Sequence, residues 1–128
     1  ILTEAEALAK SMTRVDEKDW RDFINSNAMI ASRKPEKLKF NIYLLQLWFH
    51  QAYRMKAEDN TYQLLPEITK SLEKFNDIYP KANLAEINKV LEETTESLVR
   101  NLYIPLTLTN LLITIQELLK GKIPISVV

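Results

Sequence analysis

Cysteine is absent from this chain, glycine and histidine occur once each, and positive and negative charges cancel. Each shortage excludes something. Without cysteine there are no disulfides and no thiolate metal sites, which suits a reducing compartment. With Gly121 as the only glycine, there is no Gly-x-x-x-x-Gly-Lys loop to cradle a phosphate and little support for a β-sandwich full of tight turns. With His50 as the only histidine, histidine-based triads and multi-histidine zinc sites lack their parts. No run approaches the ~20 apolar residues that a bilayer span needs, and no basic segment followed by an apolar one marks a signal peptide. The 17 basic and 17 acidic residues give the domain as a whole no strong non-specific pull on phosphate backbones.

What is present is apolar residues at helical spacing. They make up 46% of 128 residues, too many for a disordered chain and enough for one domain with a core. The periodicity predicts an all-α fold, a single bundle of about six helices over residues 1–128. Thr3 followed by Glu6 has capping-box spacing, with Ala5, Leu8, Ala9 and Met12 on one face of a first helix that runs to about Thr13. Asp16 caps a second helix with Trp20, Phe23, Ile24 and Ala31 facing one way. Ser32-Arg33-Lys34-Pro35 breaks it, and Pro35 opens a third, over Pro35–Ala57.

That third helix is the longest and the most apolar. Leu38, Ile42, Leu45, Trp48, Phe49, Ala52 and Tyr53 form its main stripe, and Phe40, Tyr43, Leu44 and Leu47 add apolar area on the other side. A helix apolar nearly all round is expected to be buried on most sides, so this one is the expected hub, with Trp48 and Phe49 structural. Ala57-Glu58-Asp59-Asn60 is a polar connection. Leu64, Leu65, Ile68, Leu72, Phe75 and Tyr79 line a fourth helix, with Pro66 in its first turn and Pro80 as its stop. Asn83 and Glu86 repeat the capping-box spacing at the start of a fifth. There Leu84, Ile87, Val90, Leu91, Leu98 and Leu102 oppose Lys89, Glu92, Glu93, Glu96 and Arg100. Ile123–Val128 reads as an extended, proline-broken tail.

The sixth helix has two apolar faces. Pro105 marks its first turn and Gly121 its C-terminal cap. Ile104, Leu108, Leu111, Leu112, Ile115, Leu118 and Leu119 form a broad stripe that should pack on the domain. Leu106 and Ile113 lie opposite, beside Thr109 and Asn110, and need a second surface in this chain or in a partner. Leu106, Thr109, Asn110 and Ile113 are therefore the candidate partner interface. Asn101 and Tyr103 sit in the link before this helix. Asn101 is placed to bond freed backbone groups, and Tyr103 either plugs the joint or is exposed at an interface.

Chemistry is sparse. His50 lacks geometric partners for general-base work and reads as a packing or edge histidine. Glu92, Glu93 and Glu96 oppose the apolar stripe without an accompanying histidine, which makes them a solvated face rather than a carboxylate metal site. Arg33-Lys34-Pro35-Glu36-Lys37-Leu38-Lys39, with Arg54 and Lys56 further along, is the densest basic patch. Phosphate contact is the sharper reading. The zero net charge and the lack of an evident aromatic stacking platform favour a solvated face. No catalytic constellation, metal set or cofactor site can be assembled from these residues.

Asn101-Leu102-Tyr103, then Leu106-Thr107-Leu108-Thr109, Leu111-Leu112 and Ile115, resembles a stretch in the C-terminal domains of bacterial DNA polymerase III clamp-loader subunits. Delta-prime is the nearest of them. Their form is Asn-Val-Asn-x-x-Leu-x-Leu-Glu-x-Leu-Leu-x-x-Leu. Upstream, Leu45-Gln46-Leu47-Trp48-Phe49-His50-Gln51 is similar in its apolar part to their Leu-x-x-Trp-Phe-Arg-Asp. Tyr103 stands where the family has its second Asn, Thr109 where it has Glu, and His50-Gln51 where it has Arg-Asp. The resemblance implies a cytoplasmic, non-enzymatic collar domain without cofactor, belonging to a DNA polymerase holoenzyme. It would join other clamp-loader subunits in a ring, while a preceding AAA+ part met the sliding clamp and primed DNA. The chain's start at Ile1, inside a helical pattern, fits a domain cut from a longer protein. The competing reading is a helical adaptor from an unrelated multi-domain protein.

Overall fold

Three prolines punctuate the helices. Pro35 and Pro66 each open one, and Pro105 lies in the first turn of another, where the missing N–H costs nothing. The computed structural model describes residues 2–13, 17–57, 66–100 and 103–121. Among them it is all-α: α1 (Leu2–Thr13), α2 (Glu17–Arg33), α3 (Pro35–Lys56), α4 (Pro66–Ile78), α5 (Leu84–Val99) and α6 (Ile104–Leu119). Asp16, Leu64, Leu65, Asn101, Leu102 and the tail Ile123–Val128, each given a role from sequence, lie outside the described residues.

α2 and α3 are joined by Lys34 alone, whose φ of −141° and ψ of 78° break the helix ahead of the proline. α4 ends at Ile78, two residues before Pro80. Asn83 caps α5 as its spacing predicts, its side-chain oxygen accepting from the Glu86 N–H at 3.3 Å. The Asn83 N–H itself donates to the Leu118 carbonyl at 2.9 Å, so the cap also ties α5 to the end of α6. Thr3 is different. It lies inside α1 and is exposed, because that helix already runs from Leu2, and the predicted capping box does not form its start.

α3 packs against α1, α2, α4 and α5, which makes it the hub, while α6 packs on α5, α2 and α1. Ile42, Leu45, Trp48, Phe49 and Ala52 of α3 are buried with Ala5, Ala9 and Met12 of α1, Leu72 and Phe75 of α4, and Ile87 and Leu91 of α5. Phe75 receives Trp48 and Phe49 edge-on, with ring centroids 6.2 and 5.7 Å away, the arrangement ring quadrupoles favour. The expectation that α3 is buried on most sides holds for about half its circumference. Phe40, Tyr43 and Tyr53 are exposed, since four neighbours cover one broad face and, among the described residues, none covers the other.

Polar side chains fasten the elements. Asn41 Nδ2 donates to Asn27 Oδ1 at 3.0 Å across α3 and α2, and Asn27 Nδ2 donates to the Phe23 carbonyl at 2.8 Å. Gln116 Nε2 of α6 donates to the Thr13 carbonyl at 2.7 Å, satisfying a helix-end acceptor of α1. Lys56 Nζ reaches the Pro80 and Ala82 carbonyls at 2.6 and 3.3 Å, pinning the turn between α4 and α5 to the end of α3. Gly121 closes α6 at φ +81°, as expected of a C-terminal cap. It also lies against that turn: a Cβ there would stand 2.6 Å from the Lys81 carbonyl oxygen.

Candidate interaction surface

α6 divides by helical geometry. Leu108, Leu111, Leu112, Ile115, Leu118 and Leu119 are buried, as the stripe requires, and Ile104 is half-buried at its edge. The opposite face points outward. Leu106 is 57% and Ile113 49% exposed, Asn110 is exposed between them, and Thr109 is half-buried on the flank. The four sequence-predicted interface residues are thus brought together on one helix, and no described element covers them.

Tyr103 stands just ahead of α6, with extended backbone. It is 72% exposed, so it does not plug the joint between α5 and α6, and of the two sequence readings the buried one is corrected. Its carbonyl starts the helix by accepting the Thr107 N–H and hydroxyl, both at 3.1 Å. With no side chain of its own bonded as a cap, the ring is left outside the core. Within α6, Leu106, Asn110 and Ile113 follow one another at intervals of four and three residues, the spacing of a seam that can meet another helix knobs-into-holes.

The chemistry of this face is set by what its polar groups already do. The Thr109 hydroxyl donates to the Pro105 carbonyl at 2.8 Å, as the Thr107 hydroxyl does to Tyr103, so both are spent on their own helix. Asn110 is left as the face's exposed amide, able to give and accept. From Asn101 to Gln116 the sequence has no charged residue. A hollow of about 520 Å³ adjoins the start of α6, between Ala31, Leu38, Leu98, Tyr103 and Pro105, with Ser32 and Lys39 also on its wall. Apposition with a similar surface would therefore require no desolvation of a charge from this face.

Elsewhere the structure offers little reaction chemistry. Trp48 and Phe49 are core residues, as expected, remote from the α6 surface. His50 is exposed on α3, and Glu92, Glu93 and Glu96 are exposed on α5. Among the described residues no three metal-ligating side chains gather. Among the described residues, Glu6 is the carboxylate held below its ordinary range. Lys10 Nζ, at 2.8 Å, is the main cause, and the Ser71 hydroxyl, donating at 2.9 Å, adds to it against the opposing effect of burial. That cluster joins α1 to α4 and is structural. Among the described residues no helix is long and apolar enough to cross a membrane. No protein-family model, curated protein or solved structure matches this chain.

Proposed function

We propose that this chain is a subunit-assembly domain whose working surface is the outward face of α6. In finer detail, we propose that it is the collar domain of a bacterial clamp-loader subunit of the delta-prime type. One observation carries the assembly reading: Leu106, Asn110 and Ile113 form an uncharged, heptad-spaced face that the domain's own helices leave uncovered. The finer reading adds the resemblance at Asn101–Ile115 and Leu45–Gln51. In such a collar each domain presents a helix face to its neighbour. Leu106 and Ile113 supply the apolar area, and Asn110 selects register, because an amide in the seam tolerates only a partner that can bond it. The domain works by binding, with the clamp and primed DNA met by other parts of the subunit.

The test is assembly with purified clamp-loader subunits, followed by co-elution, beside thermal melting by circular dichroism. Ile113→Glu should leave the melt unchanged and weaken co-elution, since apolar residues at an interface centre can each contribute more than ~1 kcal/mol of binding. A variant that still assembles normally would remove this face from the interface. Failure of the parent chain to join any clamp-loader subunit would leave the helical-adaptor reading in place of the collar.

A further inference from the structure

The solvent face of α3 combines exposed aromatic rings with basic side chains. Phe40, Tyr43 and Tyr53 are 38%, 53% and 44% exposed, three aromatic rings on one helix. At about 100° per residue, Lys39, Tyr43, Gln46, His50 and Tyr53 run along this face, with Phe40 and Leu47 at its edge. Phe40 and Tyr43 lie with ring centroids 6.3 Å apart and planes 30° from parallel. Lys37 Nζ stands 5.1 Å from the Phe40 centroid, so a cation is already positioned at the ring.

Charge is as uneven as aromaticity. Between Arg33 and Lys56 there are six lysines and arginines and one acid, Glu36, in a chain whose total charge is zero. Arg33, Lys34, Lys37 and Lys39 are exposed, and among the described residues none of them pairs with a carboxylate. The overall neutrality that argues against phosphate binding averages over a helix strongly positive at its start. The stacking platform absent from the linear reading is also present, because Phe40 and Tyr43 face outward instead of packing inward.

We infer that this face of α3 binds single-stranded nucleic acid, with bases stacked on Phe40 and Tyr43 and phosphates beside Arg33, Lys34, Lys37 and Lys39. Rings alone would equally suit a protein partner. Rings with a cation within one helical turn, and almost no acid, suit a ligand that alternates flat apolar faces with negative charges. A single strand has that alternation; a duplex buries the base faces and offers only its phosphates. Lys39 also lines the hollow beside Tyr103 and Pro105, so this face borders the start of α6, whereas Ile113 lies two turns further along that helix.

The experiment is fluorescence anisotropy of a labelled oligothymidylate of ~12 nucleotides with the whole chain, over a salt series. Saturable binding that weakens as salt rises is expected, with a blunt duplex of the same length bound far less tightly. Tyr43→Ala should reduce affinity about tenfold. Lys39→Gln should flatten the salt dependence by ~0.7 in the log–log slope, the loss of one phosphate contact on a single strand. Ile113→Glu should bind the strand like the parent, which keeps this result independent of the collar reading. Equal affinity for duplex, no saturable binding at low salt, or unchanged binding by both Tyr43→Ala and Phe40→Ala would each overturn the inference. So would a Tyr43→Ala chain that loses subunit assembly while keeping the oligonucleotide.

Discussion

α3 and α6 both bury one face and expose another, but their exposed faces are chemically opposite. That of α6 is aliphatic and uncharged, with Leu106 and Ile113 around Asn110. That of α3 is aromatic and basic, with Phe40 and Tyr43 among lysines. An aliphatic seam without charge gains by excluding water against a similar helix, and the absence of charge means that no ion need be stripped of its hydration. Aromatic rings among cations retain their hydrated charges and suit a polyanion with flat faces. Exposed apolar area is therefore not one kind of signal. The charges around it decide what it can meet.

The comparison rests on both inner faces being core, and the largest effects should come from breaking them. Trp48→Ala on α3 should cost ~3–5 kcal/mol and Leu112→Ala on α6 ~2–5 kcal/mol in urea denaturation, since each leaves a cavity that only partly collapses. Glu93→Ala on the exposed side of α5 should change stability by ~0.5 kcal/mol or less. A reversal of that order would mean the helices are rotated from the orientations given above.

A smaller loss should follow from Gly121→Ala, which would place a methyl group against the Lys81 carbonyl in a backbone conformation that L side chains disfavour. More than ~1 kcal/mol is expected. A neutral result would detach the end of α6 from the turn that the Asn83–Leu118 bond ties it to. Below that comes a pH effect. The folded-state pKa of Glu6 is lowered, so its contribution is fully present above the ordinary value of 4.5 and is lost as pH falls through the lowered one. The gap in urea midpoint between parent and Glu6→Gln should accordingly close on acidification. A gap independent of pH would assign the effect to packing.

The smallest effects separate the two exposed faces most cleanly. Ile113→Glu and Tyr43→Ala should each leave the thermal midpoint nearly unchanged, within ~0.5 kcal/mol of the parent, because both side chains face water. They should separate by function: the first weakens subunit assembly, the second oligonucleotide binding. A large melting shift in either would place its face against the domain.

Much of this was legible along the chain, and the residues that misled share a cause. The six helices and the split of α6 follow from apolar spacing and from prolines, which act locally. Asn83 could be identified as a cap for the same reason. Thr3 could not, because capping-box spacing also occurs inside a helix that has already begun. Tyr103 was open in sequence, whereas Phe40, Tyr43 and Tyr53 read as part of a largely buried helix and are exposed, since an aromatic ring at helical spacing fits a core or a surface equally. The Asn41–Asn27 and Gln116–Thr13 bonds join residues far apart in the chain, and no periodicity announces them.

The sequence by itself determined that this protein is helical, where its helices turn, and that α6 has an apolar face more than a single packing surface needs. Those are properties of backbone preference and of spacing within one helix. Only the tertiary structure decided which apolar circumference of α3 is core and which faces water, because that depends on how many helices pack around it. α1, α2, α4 and α5 cover one broad face of α3 and leave the aromatic, basic face outside.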